Sequence, residues 1–102
     1  MQKKHDYQLI TVKEKIKNTS YALQMGYYRK YMFFERIDFL IFRGEDLIGK
    51  YTLKEEELEI QKLVFLVNST TSILLDQHSI ADAAGKLMQE IKQKRELLKS
   101  KK

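Results

Sequence analysis

The chain is 102 residues long, with 43% hydrophobic and 32% charged residues, four glycines, no proline and no cysteine. That length makes one domain, too small for a TIM barrel or a two-half dinucleotide-binding fold. Without cysteine there is neither a disulfide framework nor a thiolate metal site.

The net charge of +5 is unevenly placed: residues 1–17 carry +3, residues 92–102 carry +5, and the stretch between carries −3. The basic ends would attract a polyanion, although lysine-rich tails also serve solubility. A single domain over 1–102 is expected, with flexible basic termini at 1–6 and 99–102. No charged-then-apolar leader is legible at the N-terminus. The longest apolar stretch, Tyr27 to Phe42, is interrupted by Arg29, Lys30, Glu35, Arg36 and Asp38, which argues against a membrane span. A cytoplasmic protein with no membrane partner is the expectation.

The first periodic segment runs from Tyr7 to Met25. Leu9, Val12, Ile16, Thr19 and Leu23 follow a three-four spacing, which places them on one face of a helix with Asp6 as its cap and Gly26 at its end. The second segment, Tyr27 to Arg43, holds eleven apolar residues in seventeen and seven of the eleven aromatics. On a helical wheel these surround the axis, so such a helix needs burial on most sides. The residue types favour strand, and the rival is a hairpin pairing Ile37–Phe42 with Leu47–Leu53 across Arg43-Gly44-Glu45-Asp46. The third segment opens on Thr52-Leu53-Lys54-Glu55, the spacing of a capping box, with Glu55, Glu56, Glu57 and Glu59 at the positive end of a helix dipole. Ile60, Leu63, Val64 and Val67 form its stripe, and Asn68-Ser69-Thr70-Thr71 breaks or kinks it. In the fourth segment Ser79 is the expected cap, and Ile80, Ala84, Leu87, Ile91 and Leu98 recur at helical spacing.

The fold expected from these segments is all-α, a small four-segment helical bundle. The alternative is α+β, with a central hairpin around residues 37–53 and a C-terminal helix. A bundle this small has little interior, and the second segment has more apolar surface than it could hide. Self-association would supply the missing cover.

Several chemistries can be weighed on spacing. Gly44-Glu45-Asp46-Leu47-Ile48-Gly49-Lys50-Tyr51 approaches the phosphate-cradling GxxxxGK[ST] loop. However, Tyr51 stands where the magnesium-binding hydroxyl belongs, and Glu45 and Asp46 would put negative charge among the phosphates. Asp76, His78 and Asp82 lie close together, but the only other histidine is His5 and no cysteine completes a site, so no metal is expected. Glu55 and Glu59 are a carboxylate pair that a helix start explains. Serines 20, 69, 72, 79 and 100 lack a nucleophile-elbow context. No catalytic residue and no cofactor is expected, and the protein reads as a non-enzyme.

Binding explains more. Tyr27-Tyr28-Arg29-Lys30-Tyr31 interleaves aromatic and basic residues, the types enriched in interface centres and in base-stacking surfaces. The expectation is a non-catalytic protein-binding protein of the adaptor, inhibitor or immunity type. It would present Tyr27, Tyr28, Arg29, Tyr31, Phe33 and Phe34 to an unidentified protein partner and self-associate as a homo-oligomer. The alternative is a basic nucleic-acid-binding protein using Lys92, Lys94, Arg95 and Lys99 with the N-terminal lysines.

Overall fold

The computed structural model describes residues 7–30 and 34–100, with side chains described over 10–29 and 35–98. Four antiparallel strands follow one another as a meander: β1 (Tyr7–Lys15), β2 (Tyr21–Lys30), β3 (Phe34–Arg43) and β4 (Asp46–Leu53). A 3-10 turn, Glu55–Glu57, leads to two helices, α1 (Ile60–Thr71) and α2 (Gln77–Ser100). The all-α helical bundle is therefore wrong, and the α+β alternative with a hairpin in 37–53 and a C-terminal helix fits. Of the termini expected to be flexible, residues 1–6 and 101–102 lie outside the described residues, and α2 runs through Ser100.

The strands follow from alternation. Tyr21, Leu23, Met25 and Tyr27 on β2, and Ile37, Phe39 and Ile41 on β3, are all buried. The register pairs Tyr21 with Arg43 and Tyr27 with Ile37, so the two rows share one face. A period of two puts every second side chain on that face. Tyr27–Phe42 surrounds a helix axis because it is two strands in the middle of a sheet, each apolar on its inner face and partly apolar on its outer one. Among the described residues of this segment, the inner-face Tyr27, Ile37, Phe39 and Ile41 are buried within the single chain, while Tyr31, Met32, Phe33 and the side chain of Phe34 lie outside the described residues.

The first segment is broken by a turn and not continued as a helix. Asn18 adopts φ 62°, a left-handed conformation that asparagine tolerates at the third residue of a four-residue turn. Ile16 O accepts both the Thr19 amide (3.2 Å) and the Thr19 hydroxyl (2.7 Å), and the Ile16 amide donates to Tyr21 O at 2.9 Å. Gly26, expected to end a helix, lies within β2. Gly44 takes φ +62° at the first of the two residues linking β3 to β4, where the twist of a tight hairpin demands a positive angle. Its amide donates to Ser20 O at 2.7 Å, which ties the two neighbouring turns together.

Both helices cover the same face of the sheet. α2 lies across β1 and β2, and α1 packs beside α2 and reaches β4. Between the layers sits one core in which Leu63, Val67, Ile80, Leu87 and Ile91 meet the inner rows of the strands. The approach of α1 to β4 is close because residue 49 is glycine: a Cβ there would stand 2.8 Å from Thr70 Cγ2. Thr70 Oγ1 donates to Leu66 O (2.8 Å), so Tyr51 donates its hydroxyl to Thr70 Oγ1 (2.6 Å). The expected Thr52 capping box does not form, because Thr52 belongs to β4. Its equivalent lies two residues on, where the Glu57 carboxylate accepts the Lys54 amide at 2.8 Å. Nor is Ser79 the cap of α2. Asp76 O accepts the Ile80 amide (3.2 Å) and its carboxylate accepts the Ser79 hydroxyl (2.8 Å).

Candidate functional site

The sequence offered two rival binding regions, the aromatic set at 27–34 and the lysine-rich termini, and the fold joins a buried member of each. Tyr27, placed on an aromatic binding surface, is 2% exposed in the core. Arg95, placed on a nucleic-acid-binding tail, is 8% exposed. These two residues of rival sites touch each other: the Arg95 guanidinium lies 4.9 Å from the centre of the Tyr27 ring. Arg95 Nη2 also sits 3.2 Å from Glu35 of β3 and 3.2 Å from Glu55 of the 3-10 turn. Burial works against the Arg95 charge, but the hydrogen bond and charge of Glu55, with the charge of Glu35, outweigh it and raise its pKa. The Tyr27 hydroxyl is pushed up by burial and by its hydrogen bond to Glu35. The cluster ties α2 to the sheet and to the chain entering α1, and both carboxylates are already committed to Arg95.

Of the remaining aromatic set, Tyr28 and Arg29 are half-buried on β2. Tyr31 and Phe33 lie outside the described residues, as does the side chain of Phe34. Lys92 and Lys94 are exposed on α2, and the Lys99 side chain lies outside the described residues. Odd and even residues of β2 face opposite sides of the sheet, so Tyr27 and Tyr28 cannot share a surface.

The chemical near-misses resolve in the same way. Gly44 to Tyr51 is a hairpin and a strand, where a phosphate loop needs a glycine turn opening a helix. Asp76 is a helix cap, its carboxyl held below the usual carboxylate range by the Ser79 hydroxyl and by the backbone amides of Ser79 and His78. Glu55 bonds Arg95, and Glu59 stands at the N-cap of α1. Among the described residues no group of three His, Cys, Asp or Glu side chains could hold a metal. His5 lies outside them. No helix among the described residues is long and apolar enough to cross a membrane.

What the sequence did not single out is the outer side of the helical layer. α1 has two apolar stripes. Leu63, Leu66 and Val67 face the core, while Ile60, Val64 and Phe65 line an open groove between α1 and α2. Gln61, Asn68, Gln77, His78 and Ala81 complete the lining of a trough of about 510 Å³. Phe65 is 62% exposed and Ile60 41%. At one end the helices are clasped by a reciprocal amide pair, Asn68 Nδ2 to Gln77 Oε1 at 2.8 Å and Gln77 Nε2 to Asn68 Oδ1 at 3.1 Å. Just beyond that clasp, past Ser72 at φ 62°, the linker presents Ile73 and Leu74 to solvent, Leu74 at 93%. No Asp, Glu, Lys or Arg lines the groove. The nearby Asp82 and Lys86 pair with each other at 3.7 Å. The available signal was the run Leu63-Val64-Phe65-Leu66-Val67, five consecutive apolar residues on a helix that buries only one side.

Among the described residues no helix lies on the opposite face of the sheet. Its cross-strand rows include Tyr28–Arg36, Thr11–Gly26–Asp38–Thr52, Lys13–Gln24–Leu40–Lys50 and Lys15–Ala22–Phe42–Leu47. Asp38, with a side chain 2% exposed, accepts the Thr52 hydroxyl at 3.0 Å and lies 3.2 Å from Arg36 Nε, and Arg36 stacks on Tyr28 at 4.3 Å. Lys13 Nζ reaches over Phe42 at 5.2 Å.

No protein-family model, no curated protein and no solved structure matches this chain.

Proposed function

We propose that this chain is a non-catalytic cytoplasmic protein-binding protein, that its binding face is the α1–α2 groove, and that the occupant is a second copy of the chain. The carrying observation is Phe65, a large aromatic side chain 62% exposed in a groove without charged lining. Contiguous exposed apolar surface of this kind marks interaction sites. Charge selects the occupant. The chain carries +5, so two copies repel each other across most approaches, but two uncharged grooves can meet without that penalty. A two-fold axis makes one patch serve both partners.

The strength follows from the same residues. Full burial of what Phe65, Ile60, Ile73 and Leu74 expose contributes about 5 kcal/mol per copy, or about 10 kcal/mol for the pair. Association costs about 4–15 kcal/mol. The balance describes a dissociable dimer and not a permanent one.

Sedimentation velocity across a concentration series tests this. The sedimentation coefficient is expected to rise towards the dimer value as the protein approaches about 1 mM, and Phe65→Glu is expected to stay monomeric with an unchanged circular dichroism spectrum. A wild-type chain that remains monomeric throughout, or a Phe65→Glu variant that dimerises equally, rejects the reading.

A further inference from the structure

The uncovered face of the sheet is chemically unlike the helical groove. Among the described residues its exposed charges are Lys13 and Lys15 on β1 and Lys50 on β4. The one acid in its central rows, Asp38, is paired with Arg36 and accepts the Thr52 hydroxyl; Glu45 and Asp46 stand at the hairpin tip, beyond these rows. Between the lysines lie Leu40 and Phe42, both half-buried, with the Lys13 ammonium over the Phe42 ring and no described helix against them, and the short Ala22 separates Lys15 from Phe42. Lys13 and Lys50 occupy one row, three strand spacings or about 14 Å apart. Lys15 stands about 7 Å from Lys13 along β1.

Lysines on edge strands discourage sheets from pairing edge to edge, which accounts for cations on β1 and β4. It does not account for an aromatic ring on the central strand that a lysine reaches over. A cationic rim around an aromatic floor is the surface that single-stranded nucleic acid needs, with phosphates on the rim and bases stacked on the floor.

We infer that the open face of the sheet binds single-stranded nucleic acid, with Lys13, Lys15 and Lys50 contacting phosphates and Phe42 stacking a base. The charges exclude a second copy of this chain from this face. The helical groove lies on the other side of the molecule, so a dimer formed there leaves the helix-free sheet face of each copy accessible.

Fluorescence anisotropy with a labelled 20-nucleotide oligothymidylate tests it. Three phosphate contacts on a single strand predict that affinity falls about 20-fold between 50 and 200 mM salt. Lys13→Glu/Lys15→Glu/Lys50→Glu is expected to abolish binding with circular dichroism unchanged. If that variant misfolds, Lys50→Glu alone, on an edge strand, is expected to weaken binding and flatten the salt dependence. Phe42→Ala is expected to weaken binding about five-fold at an unchanged salt slope. Lys92→Glu/Lys94→Glu is expected to bind like wild type. Absence of binding at 50 mM salt, wild-type affinity in the lysine variants, or a duplex bound as tightly as the single strand would overturn the inference.

Discussion

Replacing Arg95 probes a buried charged cluster that ties α2 to the sheet. Arg95→Ala removes the cation held 4.9 Å over Tyr27, an interaction of about 1–2 kcal/mol in a largely desolvated setting. It also removes two ion pairs of unequal weight. Glu35 is 33% exposed and Glu55 67%, so the first contributes about 1 kcal/mol and the second a few tenths. The aliphatic stem beside the cavity lined by Leu58, Met88 and Ile91 adds about 1 kcal/mol. Against these stands the cost of burying the guanidinium, whose Nε has no hydrogen-bond partner. The net loss for alanine is about 2–3 kcal/mol, which lowers Tm by about 10–20 °C for a chain of this size. Arg95→Met restores the stem and removes the unpartnered donor, so it is expected to lie within about 5 °C of wild type. Thermal denaturation followed by circular dichroism gives both numbers. An alanine variant within about 2 °C of wild type, or a methionine variant as unstable as alanine, refutes this apportionment.

Three further outcomes follow from single contacts. Gly49→Ala forces a Cβ to within 2.8 Å of Thr70, whose hydroxyl is fixed by Leu66 and Tyr51, and is expected to cost about 1–3 kcal/mol in urea denaturation. Burial and the neighbouring Glu90 raise the pKa of Glu14, so the folded chain gains stability from its protonated form and loses that gain as pH rises through the raised pKa. Glu14→Gln is accordingly expected to raise Tm at pH 7, with the difference closing below the ordinary carboxylate range. Asp76 has a lowered pKa, so its capping stabilises above the unfolded value and is lost as pH falls through the folded one. Asp76→Ala is expected to lower Tm at neutral pH and to match wild type in acid.

The two ends of this fold differ in how much they disclose before folding. α2 is legible because Ile80, Ala84, Leu87 and Ile91 recur at helical spacing and all face the core. The β3–β4 hairpin is legible because Gly44, between two apolar runs, is suited to the positive φ of a tight turn. β1 and β2 are not, because Leu9, Val12, Ile16 and Leu23 also fit a helical spacing. The strict alternation of Tyr21, Leu23, Met25 and Tyr27 is easily absorbed into it. Glu14 hides the alternation of β1 further by placing a carboxylate at an inner position, where residues of α2 meet it. For the site, residue type misleads. Tyr27 and Arg95 belong to classes that favour interfaces, but pairing lets each be buried. Phe65 reads as ordinary core until a second apolar stripe is seen on α1, and the partners of both stripes are set by tertiary packing.

The cysteine-free sequence allows the most direct test of the pairing face. Gln61→Cys places one thiol in the α1–α2 groove, and Gln24→Cys places one on the open face of the sheet. Under mild oxidation at high concentration, the groove variant is expected to form a covalent dimer on a non-reducing gel while the sheet variant stays single. Cross-linking through position 24 in preference to position 61 would contradict the account, as would equal failure of both.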